Sequence, residues 1–455
     1  MDFADKRIVV LGAGISGIAA AKIACKLGAS VVLNDAKTEE QIKYNLNELK
    51  ELNVKLILGK QTVDIFKDAD IVILSPAVPL HIPLLAEVEK LGIKIISEIE
   101  FAWYIAKAPI YAITGTNGKT TTTTLLGLLM EKLYKKVGVG GNIGIPLCEE
   151  VCRVGAEGCT VAEISSYQLE SSHEFCPKIA AVLNVTPDHI ARHGSMEVYQ
   201  QMKEKIFANQ GKSDFLVLNY DDPRTRGMAD RAKSTVMFFS HEVCLGEGAT
   251  VLQGKLVIRW HGRQYVICSI DEIKIKGSHN LENALAAAAM AFLAGVPVQQ
   301  IAAVLKTFPG VEHRIEPVRN INGVEYFNDS KATNTDAAIK ALETFSGNII
   351  LIAGGYDKKT DLTEFMKLVK KRVDKLILLG NAAARFKKAA IINGIKEDNI
   401  IEAGYSMEKA VELAYKYAVK PQVVLLSPAC SSFDMYDGYE ERGRDFKKIV
   451  NALHK

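Results

Sequence analysis

No stretch of this 455-residue chain stays apolar for the width of a bilayer, no cysteine pair has CxxC spacing, and neither sign of charge predominates. Each absence removes a class of function. Without a run of about 20 apolar residues, a helical membrane span is not expected. The 56 basic and 53 acidic residues leave a net charge of +3, so no general attraction for nucleic acid or anionic lipid is expected and phosphate binding must be local. Of eight cysteines, the closest pair, Cys148 and Cys152, has no neighbouring histidine. Reduced, mostly buried thiols are expected rather than a metal site. The opening Met1-Asp2-Phe3-Ala4-Asp5-Lys6-Arg7 lacks the basic, apolar, small order of a signal peptide. A cytoplasmic monomer acting on small molecules is expected.

What is present is alternation. At 48% hydrophobic and 24% charged residues the composition is globular, and the length calls for two or three domains. Apolar β-type runs alternate with helical stretches throughout, which predicts an α/β fold rich in parallel strands. Strands are expected at Ile8 to Leu11, Val31 to Asn34, Ile71 to Leu74 and Lys94 to Ile96, then a helix from Phe101 to Ala106. A boundary near Ala108-Pro109 and another near Pro309-Gly310 divide the chain into 1–108, 109–310 and 311–455. The last part has strands at Val324 to Phe327, Ile349 to Ala353, Lys375 to Leu379 and Val423 to Leu426.

Two glycine-rich loops carry nucleotide chemistry. Gly12-Ala13-Gly14-Ile15-Ser16-Gly17 lies between a strand and a helix, and Asp35 ends the next strand, a pattern suited to a pyrophosphate and a ribose. Alone it fits a nicotinamide-dependent oxidoreductase, another nucleotide ligand or a plain tight turn. The second loop, Gly115-Thr116-Asn117-Gly118-Lys119-Thr120, follows a strand and leads into a helix at Thr121 to Lys132. Its amides and Lys119 suit the phosphates of ATP, and Thr120 offers a hydroxyl to Mg²⁺. Its spacing departs from the standard phosphate loop, which would need glycine at Ile113.

Glu163 and His189 follow apolar strands and reach the edge that bears the second loop, as metal ligands or as ordinary strand-end residues. In a helix at Tyr199 to Phe207, Lys203 falls inside the stripe of Tyr199, Met202, Ile206 and Phe207. Such a lysine either snorkels or is paired or chemically altered within a site. In the last third, Asn328-Asp329-Ser330-Lys331-Ala332-Thr333-Asn334-Thr335 follows a strand, as do Gly354 to Lys358 and Ser431 to Asp434. These read as helix caps or as a ligand site at the carboxyl edge of a sheet. On the residues alone, Asn280 reads as a helix-start cap and Arg314 as a junction ion pair.

Taken together, from Gly12 to Arg442, these motifs resemble the Mur ligase family, which joins amino acids to the nucleotide-linked precursor of bacterial peptidoglycan. Glu163-Ile164-Ser165-Ser166-Tyr167-Gln168-Leu169-Glu170, Asp329 to Asn334 and Leu426 to Asp434 are similar to the branch that adds D-glutamate to UDP-N-acetylmuramoyl-L-alanine. A sister ligase for another amino acid is the nearest alternative. The resemblance implies Rossmann-like first and third domains around a central ATPase-like domain, and turns the first loop from a redox site into a substrate site. It implies UDP-substrate contacts at Gly14, Ile15, Ser16, Asp35, Lys37, Asn142 and His189. For ATP it implies the second loop with Thr121, Asn280, Arg314 and Asp329. D-Glutamate would meet Lys331, Thr333, Lys358, Ser432, Phe433 and Tyr439. Two Mg²⁺ ions are implied, with Thr120, Glu163, His189 and a carbamate on Lys203 as ligands. Lys119, His189, Lys203 and Arg314 are the implied catalytic residues. Ala77, where the family usually has glycine, is a departure.

Overall fold

The computed structural model describes residues 1–453, which form three sheets. The first comprises β1 (Arg7–Leu11), β2 (Ser30–Asp35), β3 (Lys55–Leu58), β4 (Ile71–Leu74) and β5 (Lys94–Ser97), all parallel in the order β3-β2-β1-β4-β5. Ile8, Val9, Val10 and Leu11 are all buried, because helices cover both faces of such a sheet. The turn out of β1 needs Gly17, since a Cβ there would stand 1.9 Å from the carbonyl oxygen of Gly12.

The second sheet has nine strands: β6 (Ile110–Thr114), β7 (Val137–Gly141), β8 (Cys159–Glu163), β9 (Ile179–Val182), β10 (Phe215–Asn219), β11 (Thr235–Ser240), β12 (Gly248–Leu252), β13 (Lys255–Trp260) and β14 (Arg263–Ser269). Their order is β14-β13-β12-β11-β10-β9-β6-β8-β7. β12, β13 and β14 pair antiparallel, a departure from the parallel pattern expected. The third sheet contains β15 (Glu316–Ile321), β16 (Val324–Asn328), β17 (Ile349–Gly354), β18 (Val373–Leu379), β19 (Ile400–Gly404) and β20 (Val423–Leu426), in the order β15-β16-β20-β17-β18-β19. Only β15 with β16 is antiparallel.

The chain packs as two compact units, Met1–Lys274 with Asn280–Phe308 and Ile275–His279 with Pro309–Lys455. The first two sheets belong to the first unit.

Three helices begin earlier than the sequence suggests. The one expected at Phe101 spans Glu98–Ile105, because the Ser97 hydroxyl caps it by accepting from the Glu100 amide at 3.2 Å. The helix after the phosphate loop spans Lys119–Met130, started by left-handed Gly118. The helix carrying Lys203 spans Met196–Glu204, capped by Ser195, so Ile206 and Phe207 pack from the turn that follows it. The cysteines are all unpaired, with four buried and Cys152 and Cys244 exposed, fewer buried than expected. Among the described residues no helix is long and apolar enough to cross a membrane.

Candidate active site

The central sheet places β6 between β9 and β8, so the loops leaving these three strands converge. The phosphate loop from Gly115 to Thr120 is held against the loop after β9. The Asn117 amide donates to Asn184 Oδ1 at 2.8 Å, and Asn184 Nδ2 returns a bond to the Asn117 carbonyl at 3.1 Å. The Thr116 amide donates to the Asn184 carbonyl, and the Thr116 hydroxyl to the Thr186 carbonyl. Gly118, at φ +85°, lies so close to Asn283 that a Cβ would stand 2.2 Å from Oδ1. Asn283 Oδ1 also accepts from the Thr122 hydroxyl, and its Nδ2 donates to Asn280 Oδ1, so Asn280 is tied to the loop's own helix. Lys119 folds over the loop, donating from Nζ to the carbonyls of Gly115 at 2.9 Å and Thr116 at 2.8 Å. Thr120 and Thr121 are buried at the start of the helix.

Glu163 ends β8, and Asn142, just past β7, donates from Nδ2 to its Oε1 at 2.8 Å. Glu163 Oε2 is buried with no hydrogen-bond partner among the described residues. A carboxylate oxygen left in this state suits a cation. His189 is backbone-strained at φ +55°; its Nδ1 lies 3.0 Å from the Tyr167 hydroxyl. Lys203 is 1% exposed, donates from Nζ to the Gly115 carbonyl at 2.9 Å, and lies 4.5 Å from the centre of the Tyr199 ring. The snorkelling alternative is thereby excluded. Burial, followed by the charge on Lys119, holds the Lys203 amine well below the usual lysine range. Among the described residues no three His, Cys, Asp or Glu side chains gather as a metal site.

At the first glycine-rich loop, Asp35 Oδ2 accepts from the Ala13 amide at 2.7 Å and Oδ1 from the Lys37 amide at 2.8 Å. The carboxylate thus shapes the loop as well as facing the cavity of about 480 Å³ that Gly12, Gly14, Asp35, Lys37 and Ala77 help to line. A groove of about 320 Å³ is lined in part by Gly14, Ile15, Ser16, Ala77 and Asn142; His189, the remaining predicted substrate residue, lines neither hollow. The two hollows share Gly14, Tyr44, Ser75 and Ala77, and Asn142 carries the groove to Glu163.

In the second unit, Asp329 follows β16 and is buried, accepting from the Ser427 hydroxyl at 2.7 Å and the Ile315 amide at 3.2 Å. Burial pushes its carboxyl up to about 7 against the opposing pull of Ser427 and the charge of Arg314. Lys331 Nζ lies 5.5 Å from the centre of the Tyr439 ring, so these two predicted residues meet. Ser432 is buried, whereas Phe433 is 71% exposed and Lys358 is exposed. Thr333 lies between Lys331 and the helix Thr335–Glu343, which Asn334 caps. Sequence reasoning passed over Tyr167, although it lies inside the Glu163 to Glu170 motif, and over Asn184, which follows the strand β9.

Family models match in chain order: a "Mur ligase MurD-like, N-terminal domain" over residues 6–97, a "Mur ligase middle domain" over 113–291 and a "Mur ligase, glutamate ligase domain" over 313–430. The UDP-N-acetylmuramoylalanine--D-glutamate ligase of Caldanaerobacter subterraneus subsp. tengcongensis is 46% identical over 455 residues, covering 100% of both chains. That of Clostridioides difficile is 41% identical with the same coverage. Among solved structures, the UDP-N-acetylmuramate-alanine ligase of Thermotoga maritima aligns with a TM-score of 0.59 at 20% identity, covering 98% of this chain and 99% of that one. The MurF ligase of Thermotoga maritima in complex with ADP gives 0.59 at 18%, covering 98% and 96%. These two share the fold. The nicotinamide-oxidoreductase reading of the first loop finds no support in any of these likenesses. With three domain models in order and full-length relatives above 40% identity, the chain belongs to the Mur ligase family.

Proposed function

We propose that this protein is an ATP-dependent ligase that joins D-glutamate to UDP-N-acetylmuramoyl-L-alanine, releasing ADP and phosphate, in cytoplasmic assembly of the peptidoglycan precursor. Three functional parts, 1–108, 109–310 and 311–455, serve the nucleotide-linked substrate, ATP, and the amino acid with part of ATP. The observation that carries the chemistry is Lys203, buried and electrostatically disfavoured as a cation beside the phosphate loop. A neutral amine is the form that adds CO₂, and the resulting carbamate turns an unfavourable buried cation into an anionic ligand. The names and lengths of the relatives favour D-glutamate as the amino acid.

The uridine diphosphate end is assigned to Gly14, Ile15, Ser16, Asp35 and Lys37, with Asn142 and His189 nearer the reacting carboxylate. The phosphate loop from Gly115 to Thr121 and Asn280 hold ATP, and Arg314 and Asp329 of the second unit are assigned its phosphates and ribose. Lys119, now bonded to its own loop carbonyls, exchanges those acceptors for phosphate oxygens. The L-alanyl carboxylate attacks the γ-phosphorus, the bond to ADP breaks, and an acyl phosphate forms. The amine of D-glutamate adds to that carbonyl, loses a proton, and expels phosphate as the amide closes. Lys119 and Arg314 stabilise the charge that moves during both steps. Thr120, Glu163, His189 and carbamylated Lys203 would hold two Mg²⁺ ions, which supply charge neutralisation to the phosphates and the carboxylate. Lys331, Thr333, Lys358, Ser432, Phe433 and Tyr439 offer cations, hydroxyls and rings to a dianionic amino acid. The protein acts as a monomer.

Phosphate release from ATP and UDP-N-acetylmuramoyl-L-alanine, measured with a panel of amino acids, tests the reading. Strong release with D-glutamate alone supports it. Preference for another amino acid would make this a sister ligase, and release independent of any amino acid would overturn it.

A further inference from the structure

Among the described residues Arg442 is the largest side chain with almost no exposure, at 1%, and none of the roles above uses it. It lies in the helix Tyr439–Ala452, three residues after Tyr439. Its sequence setting, Tyr439-Glu440-Glu441-Arg442-Gly443-Arg444, looks like an exposed charged helix start. Instead the guanidinium points inward. Nε donates to the Ser330 hydroxyl at 3.0 Å, and Nη2 to the carbonyls of Ser330 at 2.8 Å and Cys430 at 3.1 Å. The Ser330 hydroxyl in turn donates to the Tyr439 carbonyl at 2.8 Å, closing a ring of contacts. Nη1 is buried without a hydrogen-bond partner among the described residues and abuts Gly355, where a Cβ would stand 3.1 Å away.

The planar fork therefore ties the Ser330 and Cys430 loops to its own helix and packs its third nitrogen against the Gly355 loop. Ser330 directly precedes Lys331, Cys430 precedes Ser432 by two residues, and Gly355 opens the loop that carries Lys358. Each loop carries a residue assigned above to the amino acid. Burial lowers the guanidinium only to about 10, so it keeps its charge near neutral pH. A preorganised cation held behind loops assigned to a dianion favours its binding.

We propose that Arg442 is the positioning residue of the amino-acid site, a buried guanidinium that sets the spacing of the Ser330, Gly355 and Cys430 loops so that Lys331, Lys358 and Ser432 meet the amino acid together. This rests on the amino-acid site proposed above. Arg442→Lys keeps the charge but loses the fork, whereas Ser330→Ala removes one arm of the ring and keeps the charge.

Initial rates of phosphate release, with each of the three substrates varied in turn, test the idea on Arg442→Lys and Ser330→Ala beside the unaltered protein. The expected result is a KM for D-glutamate raised about tenfold in Arg442→Lys and several-fold in Ser330→Ala, with the other two KM values within about twofold. A role confined to folding lowers kcat through the active fraction and leaves every KM in place. That outcome, or an unchanged KM for D-glutamate in both variants, overturns the proposal. Should Arg442→Lys fail to melt cooperatively, Ser330→Ala decides alone by the same criterion. Lys358→Ala separates this from the reading it rests on: an unchanged KM for D-glutamate there removes the amino-acid site itself, whatever Arg442 does.

Discussion

Lys203 Nζ donates to the Gly115 carbonyl at 2.9 Å, so a fully buried lysine touches the first residue of the phosphate loop. A cation placed there opposes Lys119, whose charge depresses it, and burial adds a larger penalty. Lys203→Ala is predicted to lose about 100-fold or more in kcat while remaining folded, since it deletes an unfavourable charge. Formate or acetate should restore part of the rate by standing in for the carbamate. A second reading is independent of turnover: ¹³C-labelled bicarbonate should give a carbamate resonance in the unaltered protein that Lys203→Ala lacks. Absence of that resonance at saturating bicarbonate would sink the assignment.

Gly118 gives a sharper steric prediction. At φ +85°, alanine is strained by roughly 1–2 kcal/mol, and its Cβ would also run into Asn283 Oδ1. The loop must shift, and with it the amides that face phosphate. Gly118→Ala should raise KM for ATP at least about tenfold, and Lys119→Ala should abolish phosphate release. Near-normal turnover in Lys119→Ala would remove the ATP assignment.

Glu163→Gln tests the metal edge. Its Oε1 already accepts from Asn142, and Oε2 has no partner among the described residues, so the change removes charge while preserving shape. The Mg²⁺ concentration giving half-maximal rate should rise about tenfold or more, with KM for ATP measured at saturating Mg²⁺ moving less. An unshifted Mg²⁺ dependence would show that Glu163 serves only to hold Asn142.

Much of the candidate site was legible because α/β sheets put ligands at strand carboxyl ends, and the strands ending at Glu163, Asn328 and Leu426 lead into polar clusters. Lys203 was legible as an anomaly in an apolar stripe. Arg442 was not, because charged neighbours at a helix start normally face water, and only the tertiary ring with Ser330 and Cys430 draws it in. The antiparallel ribbon of β12 to β14 was also missed. Its tight turns at Gln253-Gly254 and His261-Gly262 have positive φ at both residues, the hairpin geometry, but the leading glutamine and histidine are weaker turn signals than asparagine or aspartate. The early start of the helix at Glu98 escaped notice for a related reason. Two glutamates beside a strand look like solvent-facing linker, yet both Glu98 and Glu100 are buried.

Glu98 carries the last prediction. Its Oε1 accepts from the Cys148 amide at 2.7 Å, at the start of the helix Leu147–Val154, while Oε2 is buried without a partner among the described residues. Burial outweighs the Cys148 amide and pushes the carboxyl up from 4.5 to about 7. The folded chain therefore holds a proton there that the unfolded chain has released across that window. Stability linked to this group is full below about pH 4.5 and falls as pH rises towards 7, by about 3 kcal/mol in all. Glu98→Gln cannot ionise and should lack this slope. Urea denaturation of the two proteins from pH 5 to 8 should show the variant gaining on the parent as pH rises, with the difference levelling above about 7. A difference independent of pH would mean that Glu98 stays ionised when buried, stabilised by the helix amides beyond what burial costs.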